Sequence, residues 1–277
     1  MKRIKQTFAD PRHGQILALS TLISLGIWAY AFEMPWWRPV TALGVAIAVQ
    51  FAVARVMHFR FDWRSAAISA LSLTLLLRTE GPGLVALAAT LAIGSKLIRW
   101  DGRHFFNPTA FAIVLTVLAF PTAWVSPGQW GTAGWIAVVA AGAGLAVTYG
   151  ARRFEVPALF LAFWAALSFA RAWYLGDPMA IPLHQMSSGA LVVFAFFMIS
   201  DPMTAPWNPV ARAAWVGLVA VTGFMLQINW IVDAGPLFGL VLMAPLVPVL
   251  NRLFPSRALT WRLHPNAKQG DPQCAVP

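Results

Sequence analysis

The chain has 277 residues, 59% of them hydrophobic and 11% charged. A soluble domain carries about 25% charged residues, so this balance nearly rules out a soluble enzyme and excludes disorder. The net charge of +10 accompanies apolar runs rich in 19 Phe and 14 Trp, which points to a polytopic helical membrane protein and away from nucleic acid.

Ten apolar runs follow one another, at about 14–33, 39–57, 65–78, 83–98, 108–125, 132–149, 156–175, 187–200, 211–227 and 235–250. None alternates with period two, and only helices or closed barrels satisfy their backbone in lipid, so the expectation is all-α. About ten transmembrane helices are predicted, with residues 1–13 as an N-terminal segment, 14–250 as the membrane domain and 251–277 as a tail. Placing both termini in the cytoplasm puts 17 of the 20 Lys and Arg inside, leaving Arg38, Arg78 and Arg171 outside. The expected location is the inner (cytoplasmic) membrane, multi-pass, with the lipid bilayer as first partner. Trp36, Trp37, Trp63, Trp100, Trp124, Trp130, Trp173, Trp207, Trp230 and Trp261 lie near span ends as interfacial anchors.

Two runs are short. Residues 65–78 and 187–200 have 14 residues each, about 21 Å of helix and too little to cross the hydrocarbon alone. Each is the third of five in its half of the chain, 14–125 and 132–250. Five spans per half gives halves of opposite orientation, so the pattern predicts two inverted repeats with short third and eighth helices. Such interruptions at matching positions point to a midplane site, for which ordinary tilted helices are the alternative.

The stretch from Ser95 to Pro108 holds Lys96, Arg99, Arg103, His104 and Asn107. Asn107 suits the N-cap of a helix opened by Pro108. The cations serve either as inside anchors or as a cradle for phosphate or an acidic partner. Ser200-Asp201-Pro202-Met203-Thr204 closes the eighth run. Asp201 there is either a pathway group bordering the membrane or the head of an Asx turn. Arg78 and Glu80 either pair with each other or join Asp201 and Thr204 along a path. His13, His58, His104, His184 and His264 read as interfacial and form no metal-binding set, and the single thiol, Cys274, cannot build a disulfide or a cluster. Gly235 and Gly239 predict a close helix contact.

The motifs S-A-L-S-L-T-L-L-L-R-T at 69–79, S-K-x-x-x-R-x-x-x-R-H-F-F-N-P at 95–108 and S-G-A-L-x-x-x-A-F-F-M-I-S-D-P-M-T-A-P at 188–206 resemble the RnfD/NqrB family. These are ten-span subunits of ion-pumping, flavin-containing respiratory complexes. The L-L-L-R-T form looks closest to stand-alone UnbU-type members. The resemblance covers roughly residues 40–250 and implies electron transport coupled to transmembrane transport, with other redox or membrane subunits as partners. It also implies cofactor contacts at Lys96, Arg99, Arg103, His104, Asn107, Ser188, Gly189, Asp201 and Thr204. In the family a flavin mononucleotide (FMN) is esterified to a threonine in a G-x-x-G-E-T context. Here the matching stretch is Gly131-Thr132-Ala133-Gly134-Trp135-Ile136, with Ile136 at the acceptor position. Isoleucine has no oxygen to esterify, so the expected cofactor is non-covalent FMN, riboflavin or quinone. A cofactor-free solute or ion transporter, and an assembly subunit, are the alternatives.

Overall fold

The protein is described from a computed structural model over residues 11–30, 33–58, 60–125, 142, 144, 154–229 and 234–256. Helix occupies nine of the ten apolar runs; the sixth, 132–149, lies almost wholly outside the described residues. The first half begins with α1 (Pro11–Tyr30), α2 (Trp37–Val56) and α3 (Trp63–Leu76). Asp62 caps α3 by accepting from the Arg64 amide at 3.2 Å, and an ion pair to Arg12 ties the same carboxylate to α1. α3 is buried along nearly its whole length, packed against α1, α2 and α4 (Pro82–Ser95). These neighbours supply the apolar walls that its Ala, Leu and Ser faces need.

The third run does not end as helix. Leu77–Thr79 is extended as β1 and pairs antiparallel with β4 (Ala123–Val125), Arg78 opposite Trp124. Extended backbone is tolerated inside an apolar bundle because the strand pairing satisfies its amides. The fifth run accordingly stops as helix at Ala119, in α5 (Pro108–Ala119), before turning into β4. Between α4 and α5 a β-hairpin forms, β2 (Arg99–Trp100) against β3 (Arg103–His104). These short strands correct the all-α expectation locally.

The second half contains α6 (Glu155–Leu175), α7 (Ala180–Met186), α8 (Gly189–Val193), a π-helical turn (Phe194–Met198), α9 (Pro209–Asn229), α10 (Gly235–Met243) and α11 (Leu246–Leu253). The eighth run is the far half of a broken element: α7 meets α8 and the π turn at 47°. The tenth run, expected to be one helix, is two, bent by 51° at Ala244-Pro245. Proline cannot donate the next helical hydrogen bond, and the Trp215 indole N–H donates at 2.8 Å to the Met243 carbonyl beside the break. Among the described residues three helices, α2, α6 and α9, are long and apolar enough to cross a membrane, or five elements if each bent pair is one span. The aromatic core of this half sets Phe160 tilted against Phe194 at 4.9 Å and Trp164 edge-to-face with Phe224 at 5.4 Å. α10 packs on α5, which joins the halves.

Candidate functional site

Asp101 and Gly102 turn the hairpin, both with positive φ (49° and 75°). That is the two-residue geometry whose twist matches paired strands, and the Asp-Gly pair is its signal in the sequence. Arg99 lies opposite His104 and Trp100 opposite Arg103, so cations and rings alternate on a compact frame.

Both halves of the chain close on this hairpin. Asn107 accepts from the Ala110 amide at 3.0 Å, the predicted cap, and donates through Nδ2 to the Met198 carbonyl at 3.0 Å. Met198 ends the π turn, whose widened spacing appears in the Ile199 amide donating to Phe194 five residues back. The Arg103 guanidinium sits 5.4 Å from the Trp207 ring, and Arg252 stacks on Trp100 at 4.3 Å. Lys96 lies just past the end of α4, buried, and donates to the Ser65 hydroxyl at 2.9 Å and the Ser65 carbonyl at 3.2 Å. Arg99 Nε donates to the Lys96 carbonyl at 2.8 Å.

Electrostatics here follow from burial. Burial lowers Lys96 to a pKa of about 8, while Asp62 and Asp201 pull it back up. His104 was expected at the membrane interface; it is buried instead, at 8% exposure. Burial, reinforced by Lys96, Arg99 and Arg103, drives its pKa down to about 3. The imidazole is therefore neutral at pH 7, with one ring nitrogen to donate and one to accept.

Asp201 heads the Asx turn: Oδ1 accepts from the Met203 amide at 2.9 Å, and the Thr204 amide and hydroxyl donate to its carbonyl at 3.2 and 3.4 Å. Ser188 precedes α8 without a side-chain cap bond, and Gly189 is buried beside it. Lys96, Arg99, Arg103, His104, Asn107 and Asp201 thus share one end of the bundle. Arg78 and Glu80 do not join them. Arg78 is buried at the opposite end of α3, about 20 Å from Ser65 along the helix axis. Glu80 is exposed nearby. Arg78 and Asp201 therefore do not meet. Residues 131–136, with Ile136, lie outside the described residues.

One residue escaped sequence reasoning. Arg212, at the start of α9, is buried, pairs with Glu155 at 2.7 Å and donates to the carbonyls of Pro206 and Trp207 at 3.1 and 3.0 Å. It holds the segment carrying Trp207. Nothing in its local sequence distinguishes it from an interfacial anchor.

Comparison with known proteins finds similarity to one group. A family model described as NQR2, RnfD, RnfE matches residues 125–260. The chain is 23% identical to a protein of Halorhodospira halophila (strain DSM 244 / SL1) that is named as a subunit of an ion-translocating oxidoreductase complex, over 85% of this chain and 87% of that relative.

Proposed function

We propose that the chain, which is similar to the NQR2, RnfD, RnfE family, is a membrane subunit of an ion-translocating oxidoreductase complex, with a non-covalent flavin or quinone at the hairpin end. The observation that carries this reading is the convergence of the hairpin with the π turn through Asn107 and Met198. π turns occur most often at functional sites. The donor set fits an anionic, ring-bearing cofactor. Lys96, Arg99 and Arg103 supply cationic donors, Trp100 and Trp207 supply flat apolar faces, and neutral His104 can meet a ring carbonyl.

When bound, such a group supplies the electron-carrying chemistry, which no protein side chain here provides. This chain's own residues have the other duties. Asn107 fixes the hairpin against the π turn. Arg103 holds Trp207 by its ring, and Arg212 holds it by its carbonyl. His104 keeps a single ring proton at neutral pH and so orients a hydrogen bond without adding charge. The chain has no nucleotide-binding loop and one cysteine, so electrons reach it through other redox subunits.

The test is substitution of the staple. Asn107→Ala removes the bond to Met198 and should lower flavin or quinone content of the purified complex several-fold while the protein remains in the membrane. Unchanged cofactor content in that variant would count against the hairpin end as the site.

The bent pairs α7–α8 and α10–α11 favour a second reading, a cofactor-free ion or solute transporter, since broken helices line transport paths. On that reading Asp201→Asn reduces flux in reconstituted vesicles and leaves cofactor content untouched.

A further inference from the structure

The corner that follows α2 sets exposed cations over exposed rings. The exposed side of α2 follows helical spacing through Val40, Gly44, Ala48, Phe51 and Arg55, opposite the buried Ala42, Ala46 and Ala54. Within the described residues α2 is the least covered of the three long helices: 17% of its apolar window is buried, against 33% for α6 and 44% for α9. The exposed stripe is apolar for most of its length and cationic at its end. From Val40 to Phe51 it runs about 16 Å, the depth of one leaflet of a hydrocarbon core about 30 Å thick.

The chain then turns back on α2. His58 has φ 55°, a left-handed conformation uncommon for a residue with a Cβ, and the turn returns Phe61 to the helix. Phe61 meets Phe51 edge-on at 5.7 Å, and the Arg55 guanidinium lies 5.1 Å from the Phe51 ring. The rings are ordered against each other yet still open, Phe51 at 47% and Phe61 at 39% exposure. Arg60, the neighbour of Phe61 in the chain, is exposed. Among the described residues neither Arg55 nor Arg60 forms an ion pair. Asp62, the described acid nearest in the chain, is engaged by Arg12 and Arg64.

We propose that this corner binds an anionic phospholipid, its phosphate on Arg55 and Arg60 and its chains along the stripe from Val40 to Phe51. Guanidinium groups present paired N–H donors that match phosphate oxygens. Exposed rings below exposed cations suit the level where acyl chains give way to headgroups. An acidic protein docked on the cations at the membrane surface would leave the apolar stripe uncovered. A phospholipid covers both parts at once, because its charge and its chains are joined at the depth where Phe51 meets Arg55.

The experiment uses the full chain, reconstituted in vesicles of phosphatidylcholine and phosphatidylglycerol and then transferred to a maltoside detergent. Native mass spectrometry reads the lipids that stay bound. The wild type should retain phosphatidylglycerol in preference to phosphatidylcholine. Each cation near an anionic headgroup adds roughly a fivefold preference, so Arg55→Gln with Arg60→Gln should lower retained phosphatidylglycerol more than tenfold. Arg60→Gln alone should lower it roughly fivefold and serves where the double variant does not fold. Arg55→Lys with Arg60→Lys keeps the charges and should restore most of the retention. Arg171→Gln, at the other end of the bundle, should retain lipid as the wild type does. A wild type without the preference, or Gln variants that keep it, overturns the proposal. So does a double variant that loses a co-purifying protein from native membranes while its phosphatidylglycerol stays bound, which would assign the corner to a protein partner. The proposal rests on the membrane reading alone and cofactor content enters no readout, so its failure and failure of the redox reading are separable.

Discussion

His104 gives the hairpin end a pH signature. Its pKa in the folded chain is about 3, below the ordinary 6.5, so between those values the unfolded chain binds more protons than the folded one. The stability it contributes is complete above pH 6.5 and is lost as pH falls toward 3. Thermal unfolding in detergent should therefore show a steeper acid loss for the wild type than for His104→Gln; superimposable profiles would contradict the burial. Lys96 has the same sign in another window. With a folded pKa of about 8 against 10.5, it makes the chain more stable as pH rises from 8 to 10.5, and Lys96→Met should flatten that rise. The sequence showed these residues as a cationic stretch and placed the Asn107 cap correctly. It did not show their tertiary partners, because these come from elsewhere in the chain: Ser65 on Lys96, Met198 of the π turn on Asn107, and Trp207 on Arg103. Arg212 was hidden for the same reason: its partners are a carboxylate and two carbonyls that only the tertiary fold brings together.

At the scale of elements, apolar runs translated into helices wherever length and hydrophobicity agreed, and the short third run ends as helix at Leu76. What escaped were features written in single residues. α7 was missed because Pro178, Pro182 and His184 interrupt the apolar pattern there. The bend before α11 was signalled by Pro245 inside an otherwise continuous run, and the hairpin by Asp101-Gly102. The predicted close contact at Gly235 and Gly239 is present. A Cβ on Gly239 would lie 2.6 Å from the Val219 carbonyl oxygen and 2.8 Å from the Gly223 amide nitrogen, both backbone. Gly239→Val must push α9 and α10 apart, a cost on the order of 1–3 kcal/mol as for other overpacked cores. Gly94→Ala, within α4 and with open space around it, should be neutral or slightly stabilising. Thermal unfolding of the pair checks the packing, and equal effects would contradict it.

For the whole molecule, the two halves meet at α5 and α10 and close together on the hairpin. The charge pattern predicts both termini in the cytoplasm, so a reporter fused near Gly128 should read on the opposite side of the membrane. A cytoplasmic signal there would contradict that topology. The two short runs at matching positions were legible in the sequence; that Arg78 and Asp201 lie at opposite ends required the packing of α3. The proposed redox role rests on similarity to the NQR2, RnfD, RnfE family together with this shared end, and its most direct test is the flavin content of the protein purified with its native partners, before and after acid precipitation. The expected result is flavin in equal amount before precipitation and in the supernatant after it, since Ile136 cannot form the ester. Flavin that stays in the pellet would contradict the non-covalent site, and a preparation with neither flavin nor quinone would contradict the redox role itself.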